Sequence, residues 1–423
     1  MKRMQGYQFR LMPKPEQAEH LNQSLGANRF VWNKLLAMNL FRLEHRQPLL
    51  WYQEMAWWIT LWKQSEEYGF LSDAPSQSLQ QTAKALDRAF KDAFDKNQPN
   101  KRIPNFKRLG KNEAGIRYPQ GFAFDQGNSV INLPKTRWVK YRNSRKIEGT
   151  VKNVTISRKA GKYTVSVQTE REVDHPYHPA TRAIGLDLGV TRFATLSDGT
   201  VIEPINSFKK LAKKLATAQR RLKHKTKFSA NWQKQKQRIN RIHSTIAHVR
   251  TDFLHKTSTD ISKNHAMIVI EDLKVSAMSK SAKGTVDQPG NRVRQKSGLN
   301  RSILDQGWGE FRRQLEYKQN WLGGWVMVVP AHHTSQTCPC CSHVSKENRR
   351  TQASFICVEC GFAENADFVG ALNILERGMQ ILGSDKNRGT HGDRLRSELP
   401  SPSHKRGHRR SATGTSPISP ISD

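Results

Sequence analysis

The spacing of the cysteines is the feature that most constrains the fold of this chain. Four of the five cysteines form two C-x₂-C pairs separated by fifteen residues: Cys338 and Cys341, then Cys357 and Cys360. Each pair bends the backbone into a knuckle that directs two thiolates at one ion, so the pairs predict a tetrahedral site for one structural Zn²⁺. Buried structural thiols, the alternative, would not recur at this spacing. A secreted disulfide scaffold would spread its cysteines along the chain, so their clustering favours a cytoplasmic protein.

Other residues near the pairs leave alternatives to this ligand set. Cys340 is left over by the pairing and is predicted to be a bystander thiol. His332, His333 and His343 are rival ligands, although the fourth cysteine makes them unnecessary. Ser342 stands where many knuckles carry glycine, which makes the first knuckle less ideal.

The charge balance indicates the kind of partner. The 423 residues include 70 Lys and Arg but only 36 Asp and Glu, which gives a formal net charge of +34. Such an excess repels itself and a polyanion would offset it, so nucleic acid is the leading partner and an anionic membrane surface the runner-up. No apolar run approaches the roughly 18 residues that a membrane span needs, and the opening MKRMQGYQFR lacks the apolar core of a signal peptide. We therefore expect no membrane association.

The hydrophobic periodicity and composition of the chain change along its length, which predicts several domains. Residues 1–12 alternate like a strand, and residues 13–100 carry apolar side chains at helical spacing. Residues 101–180 consist of short alternating runs between turn residues, which predicts a small barrel or sandwich. Apolar strands and helices follow from residue 183. Residues from 384 onward are rich in Ser, Pro, Gly, Arg and His, which predicts a disordered tail.

Three carboxylates stand where strands or helices begin or end. Asp187 follows an apolar strand and is flanked by glycines that allow close backbone approach. Glu271 ends the apolar strand 267–270, and Asp367 lies where a helix starts. Taken singly, each acid is more often a cap or a surface ion pair. Their joint order of strand-Asp, hairpin, strand-Glu and helix-Asp is the order of the ribonuclease H-like fold.

This joint pattern also predicts bound metal. Three acids that converge in space would raise one another's pKa unless cations were present. Two Mg²⁺ or Mn²⁺ ions about 3.5–4 Å apart would resolve this, and would serve the attacking water and the leaving oxygen of a phosphodiester. The oxygen donors suit these hard cations rather than zinc.

The segment 208–250 is helical in pattern and strongly basic. Between Lys209 and Arg250 there is no Asp or Glu that could form ion pairs along a helix. A solvated helix face is the alternative, but the absence of acids favours a helical hairpin that contacts phosphates without reading sequence. The candidate contacts are Lys209, Lys210, Lys213, Lys214, Arg220 and Arg221.

Several motifs together resemble one family. The motifs lie at 7–11, 29–33, 300–308, 315–318, 334–338 and 365–367. They resemble those of the TnpB or OrfB proteins of insertion sequences, which are related to type V CRISPR nucleases. The resemblance extends to about residue 382, and its C-terminal half is the more specific part.

The resemblance implies an RNA-guided DNA endonuclease. Its guide RNA would be transcribed from the end of the element, and its target would be double-stranded DNA with a short adjacent motif. It implies that Asp187, Glu271 and Asp367 are the acids of a RuvC-like nuclease core, and that a zinc-binding module is inserted before the last of them. It also implies that a helical recognition part and a β-barrel wedge hold guide and target.

The expected fold class is therefore multidomain α+β, with an N-terminal helical domain and a β-barrel wedge followed by a ribonuclease H-like (RuvC-like) α/β nuclease domain that carries an inserted zinc ribbon. The expected domains are the first wedge strand 1–12, the helical recognition domain 13–100, the β-barrel wedge 101–180, the nuclease domain 181–333 with its basic helical segment 208–250, the zinc-ribbon insertion 334–364, the last nuclease helix 365–383 and the disordered basic tail 384–423.

Two other functions compete with guided cleavage. A nucleic-acid-binding regulator, or a transposase accessory protein, could keep this scaffold without chemistry. Such a protein would usually have lost one acid, whereas all three acids are present here. A transposase that joins strands itself would use the same acid-rich fold, and would in addition need to recognise the ends of its element.

Overall fold

A computed structural model describes residues 1–109 and 115–386 of the 423. The tail predicted from residue 384 lies outside the described residues from 387 onward, whereas residues 384–386 end the last helix.

The described chain divides into two compact units. The first unit contains Met1–His175 and Leu211–Ala247, and the second contains Pro176–Lys210 and the chain from His248 onward. No helix in the described parts of either unit is long and apolar enough to cross a membrane.

Three helices follow the first strand in the first unit. They are α1 (Pro15–Glu44), α2 (Tyr52–Gln64) and α3 (Ser76–Phe94). Proline occupies the first position of α1, where its missing N–H is not needed. Apolar side chains at helical spacing become buried faces: Leu21 and Leu25 of α1 join the core of a sheet, while Val31 and Leu35 join a helical core with α2 and α3.

The strands of the first unit form one antiparallel sheet. They are β1 (Lys2–Met12), β2 (Ile116–Tyr118), β3 (Ala123–Asp125), β4 (Val130–Leu133), β5 (Arg137–Tyr141), β6 (Thr150–Lys159) and β7 (Lys162–Glu172). Their spatial order is β2-β6-β7-β1-β5-β4-β3. Strand β1 therefore lies in the middle of the sheet, and its buried Tyr7, Phe9 and Leu11 confirm the alternation predicted from the sequence.

The closed barrel predicted for residues 101–180 is wrong. Strands β2 and β3 are the two edges of the sheet and, in the described part of the chain, do not pair with each other. Residues 119–122 connect these edges and reach at most about 18 Å, whereas seven strands laid flat would be about 29 Å wide. The sheet is therefore strongly curled but open. The edge strands have only three residues each, and Pro119, which follows β2, has no N–H to donate to a closing ladder.

A mixed sheet forms the centre of the second unit. Its strands are β8 (Ala183–Asp187), β9 (Ala194–Leu196), β10 (Val201–Ile202), β11 (Met267–Glu271) and β12 (Trp325–Val329). The spatial order is β10-β9-β8-β11-β12. Strands β8, β11 and β12 run parallel, and β9 turns back antiparallel beside β8. The apolar runs that predicted buried strands thus form the centre of this sheet.

Helices complete the second half of the chain. They are α4 (Ser207–Lys223), α5 (Ala230–Asn264), α6 (Val275–Met278), α7 (Val293–Gln306), α8 (Trp308–Leu322) and α9 (Ala366–Lys386). A short hairpin, β13 (Ser354–Ile356) with β14 (Ala363–Asn365), precedes α9. The basic segment therefore consists of two helices, α4 and the first part of α5.

Close contact between α9 and the sheet depends on glycine at two positions. A Cβ at Gly185 of β8 would lie 2.3 Å from the carbonyl oxygen of Ala371 in α9. A Cβ at Gly378 would lie 2.6 Å from a methyl group of Val269 in β11. The helix backbone consequently lies directly against β8, and this places the first turn of α9 over the end of that strand.

Substituting alanine for glycine tests this contact. Gly185→Ala should lower the thermal unfolding midpoint strongly, because the new methyl group meets backbone and overpacking costs about 1–3 kcal/mol or more. Gly298→Ala is the matched control, since nothing lies within 4 Å of a Cβ at that helical position, and alanine should be neutral or slightly stabilising there. Equal midpoints for Gly185→Ala and the unmodified chain would contradict the packing.

Candidate active site

The three predicted acids come together in the second unit. Leu186 of β8 pairs with Ile270 of β11 in parallel register, so the next residue on each strand, Asp187 or Glu271, lies at the same carboxyl edge of the sheet. This edge is where open α/β sheets bind their ligands. Asp367 is in the first turn of α9, which packs on β8. All three carboxylates are half-buried, so each lies in surroundings of low polarity and is still accessible to solvent.

The start of α9 is built to bring Asp367 close to Asp187. The Asn365 side-chain oxygen accepts hydrogen bonds from the N–H groups of Asp367, at 3.1 Å, and Phe368, at 3.4 Å, and so caps the helix. One turn later, a Cβ at Gly370 would lie 2.9 Å from Oδ2 of Asp187. Glycine therefore leaves the space that the Asp187 carboxylate occupies against the helix.

The electrostatics of the site disfavour three free carboxylates. Burial, and then the negative charges of Glu271 and Asp367, raise the pKa of Asp187 from 3.8 to about 7, against the opposing effect of Arg349. Burial also raises the pKa of Glu271, while a hydrogen bond from Thr334 and the charges of Arg377 and Arg349 act in the opposite direction. A positive charge placed among these groups would relieve the repulsion.

Two polar residues contribute to the site without having been predicted as contributors. The Thr334 hydroxyl donates to Oε1 of Glu271 at 2.5 Å, and Nη2 of Arg349 lies 3.3 Å from Oδ1 of Asp367. Thr334 belongs to a motif that carried the family resemblance, but no pattern in the sequence indicates that it contacts an acid 63 residues away. Arg349 carried no signal, because one arginine in a basic chain is unremarkable in sequence.

The four predicted cysteines converge in space. One sulfur from each of Cys338, Cys341, Cys357 and Cys360 lies within 4.8 Å of all the others. The Sγ atoms of Cys338 and Cys360, and those of Cys341 and Cys357, are 3.6 Å apart. Cys340 is exposed and lies outside this cluster. The rival ligands His332, His333 and His343 are likewise not among the clustered residues. The cluster has the composition and spacing of a site that could hold a metal ion.

The six basic candidates lie on one exposed face of α4. At 100° per residue they fall within an arc of about 140°, and every one is exposed. Leu215 and Ala218, which are buried, lie on the opposite side. The Gln235 side chain of α5 donates to the carbonyl oxygen of Ala218 at 2.8 Å and holds the two helices together. The segment therefore presents a continuous cationic face.

Comparisons with known proteins match three segments of the chain. The family described as "Helix-turn-helix domain" matches residues 1–47, "Probable transposase" (OrfB_IS605) matches residues 165–282, and "Cas12f1-like, TNB domain" matches residues 308–374. A relative from Escherichia coli (strain K12), named "Putative RNA-guided DNA endonuclease InsQ", is 55% identical over 382 residues, which cover 90% of this chain and 94% of the relative. The chain belongs to the TnpB/OrfB family. This confirms the resemblance predicted from the motifs.

A second relative supports membership of the TnpB/OrfB family. A protein of Streptomyces pristinaespiralis, named "Putative RNA-guided DNA endonuclease", is 33% identical over 383 residues, which cover 88% of this chain and 89% of the relative. The solved structure described as "Cryo-EM structure of CasPhi-2 (Cas12j) bound to crRNA and Phosphorothioate-DNA" is 12% identical with a TM-score of 0.38, and the match covers 88% of this chain and 91% of that chain. In this TnpB/OrfB chain, the segment matched as a helix-turn-helix domain consists of β1 followed by α1.

The raised pKa of Asp187 predicts an unusual effect of pH on stability. The folded chain keeps a proton on Asp187 up to about pH 7, whereas the unfolded chain releases it near 3.8, so the contribution of this group to stability falls as the pH rises between these values. Asp187→Asn removes the effect. In chelator, it should raise the free energy of unfolding relative to the unmodified chain more at about pH 8 than at about pH 5, with a gain of at most about 4 kcal/mol at pH 8.

The exposed Asp174 provides the control for this measurement. Asp174→Asn makes the same substitution at an exposed carboxylate outside the acid site and serves as the matched variant for comparison. An Asp187→Asn effect that does not grow with pH would contradict the electrostatic description of the site.

Proposed function

We propose that this chain is an RNA-guided DNA endonuclease that hydrolyses phosphodiester bonds at Asp187, Glu271 and Asp367. The observation that carries the proposal is the convergence of these acids at one edge of a mixed sheet, where burial and mutual repulsion raise the pKa of Asp187 to about 7. The names of two relatives, each matched over most of its length, describe the same activity. A regulator without chemistry would have no need to maintain so unfavourable a cluster of charge.

The donor set of this cluster fits divalent cations. Its oxygens are hard donors of the kind that suits Mg²⁺ or Mn²⁺. We propose two ions, one for the attacking water and one for the leaving oxygen of the phosphodiester. Divalent ions held in this way supply Lewis acidity to phosphodiester hydrolysis.

The surrounding side chains have separate tasks in this proposal. Asp187, Glu271 and Asp367 would hold the cations. Thr334 donates to one oxygen of Glu271 and leaves the other oxygen available. Arg349 places a positive charge beside Asp367, and such a charge suits a phosphate group.

The proposed partners are a guide RNA from the end of the element and a double-stranded DNA target with a short adjacent motif. The net charge of +34 and the acid-free face of α4 supply contacts to phosphates, which do not depend on sequence. Specificity would come from base pairing between guide and target. The helical region 13–100 and the curled sheet of the first unit are the parts to which we assign the holding of guide and target.

We further propose that the four cysteines bind one Zn²⁺. Four protein thiolates complete a tetrahedral shell and leave no position for water, so this ion is structural. All five cysteines are unpaired by disulfides, and the two relatives named above are bacterial. Both facts favour the prokaryotic cytosol or nucleoid as the location.

Alanine substitution of each acid tests the proposed chemistry. Asp187→Ala, Glu271→Ala and Asp367→Ala should each abolish guided cleavage in Mg²⁺ while largely preserving nucleic-acid binding, because affinity comes mainly from Lys and Arg. Cleavage of a labelled matched duplex and a gel-shift assay measure the two properties. Asp174→Ala is the control and should cleave normally. Near-normal cleavage by Asp187→Ala would exclude the proposed nuclease site.

Metal analysis tests the cysteine assignment. The purified chain should contain about one zinc, by the stoichiometry of a four-cysteine site. Cys357→Ser should lose this zinc, whereas Cys340→Ser should keep it, because the Cys340 thiol lies outside the cluster. Equal zinc loss in both variants would show that the ligand set is different.

A further inference from the structure

A single short segment connects the acid site to the cysteine cluster. We call residues 330–338 the linking segment. It contains Thr334, whose hydroxyl donates to Glu271 at 2.5 Å, and it ends at Cys338, the first cysteine of the cluster. Thr334 is 4% exposed, so water does not compete for this hydrogen bond.

Helix α9 holds the linking segment through its carbonyl groups. The two N–H bonds of the buried Asn373 amide donate to the carbonyl oxygens of Thr334, at 2.7 Å, and Thr337, at 2.8 Å. Arg377, one turn further along, donates to the carbonyl oxygens of Pro330, at 2.6 Å, and His332, at 2.9 Å. The path of the segment is therefore fixed along its length by the same helix that carries Asp367.

The other end of the linking segment is fixed by the cysteine knuckles. The Cys338 N–H donates to the carbonyl oxygen of His343 at 2.9 Å, inside the first knuckle. The buried Asn348 side chain donates to the carbonyl oxygens of Gln336 and His343, and accepts from the N–H of Val358 in the second knuckle at 3.0 Å. A change in the separation of the knuckles is thus transmitted directly to the linking segment.

We infer that Thr334, held in place by Asn373, is a positioning residue through which the metal in the cysteine cluster fixes the Glu271 carboxylate for divalent-cation binding. This inference rests on the proposed function. Closing the cluster on an ion fixes both knuckles and hence the linking segment. The Thr334 hydroxyl then holds one Glu271 oxygen and directs the other toward the cation site. Partners of this kind that orient a metal ligand typically change metal affinity by about 10–100-fold.

The test is the binding of Mn²⁺ to the full chain, monitored through the electron paramagnetic resonance signal of the free ion. Thr334→Val removes the hydroxyl at nearly constant shape and should weaken Mn²⁺ binding by about 10–100-fold. Thr334→Ser keeps a hydroxyl at this position. Its Mn²⁺ affinity should lie within about threefold of that of the unmodified chain, a smaller change than the loss expected without the hydroxyl. Thr337→Val is the matched control, because that hydroxyl lies on the same segment but donates to the His333 carbonyl; it should bind normally.

Zinc affinity supplies a second readout that needs no cleavage. Coupling between two binding sites is reciprocal, so Mg²⁺ should raise the zinc affinity of the unmodified chain, measured by competition with a zinc-selective chelator. Mg²⁺ should have no such effect on Thr334→Val. A zinc affinity of the unmodified chain that is indifferent to Mg²⁺ would overturn the inference, as would a Thr334→Ser variant that binds Mn²⁺ as weakly as Thr334→Val.

Asp187→Ala separates failure of this inference from failure of the proposed function. If Asp187→Ala loses Mn²⁺ while Thr334→Val binds it normally, the acids hold the cation and only the coupling is wrong. If Asp187→Ala also binds Mn²⁺ normally, the acids are not a cation site, and both the inference and the proposed function fail.

Discussion

The direct contact between helix α9 and strand β8 is the constraint on which the second unit depends. At Gly185 and Gly370, the absence of a side chain allows helix backbone, strand backbone and the Asp187 carboxylate to occupy adjacent space. The same contact brings the capped start of α9, with Asp367, to the carboxyl edge where Asp187 and Glu271 end their strands. Packing that buries acids beside one another raises the pKa of Asp187, and this is unfavourable for a fold without a cation. We interpret the glycines, the acids and the proposed cations as parts of one arrangement.

The sequence predicts this site where local pattern and chemistry coincide. Asp187 and Glu271 could be found because each ends an apolar run, and parallel neighbouring strands place their ends together. The cysteines could be found because two C-x₂-C pairs at this separation are typical of a metal site. Thr334 and Arg349 could not, since their roles depend on how the linking segment and the cysteine knuckles fold over the acids. The barrel prediction failed for a related reason: alternation indicates strands, but closure depends on whether two three-residue edge strands can form a ladder.

The cysteine cluster and the acid site belong to one continuous structure. The Asn373 and Arg377 side chains of α9 bind the linking segment, and Asn348 joins that segment to both knuckles. The metal that we propose in the cluster would therefore stabilise more than a surface ribbon. We propose a different purpose for the cationic face of α4, which lies on an exposed helix surface: contacts to phosphates that do not depend on sequence. We therefore assign catalysis to the fixed acids, and recognition of the target to base pairing between the guide RNA and the DNA.

Replacing the guide tests this division most directly. The RNA that copurifies with the chain would be sequenced, its guide portion exchanged for an unrelated sequence, and the cut sites mapped on a DNA library in Mg²⁺. We predict that cleavage moves to DNA that matches the new guide, because base pairing rather than side chains selects the target. Cuts that stay at the original sites, or RNA-free protein that cuts matched and unmatched DNA equally, would contradict selection of the target by the guide.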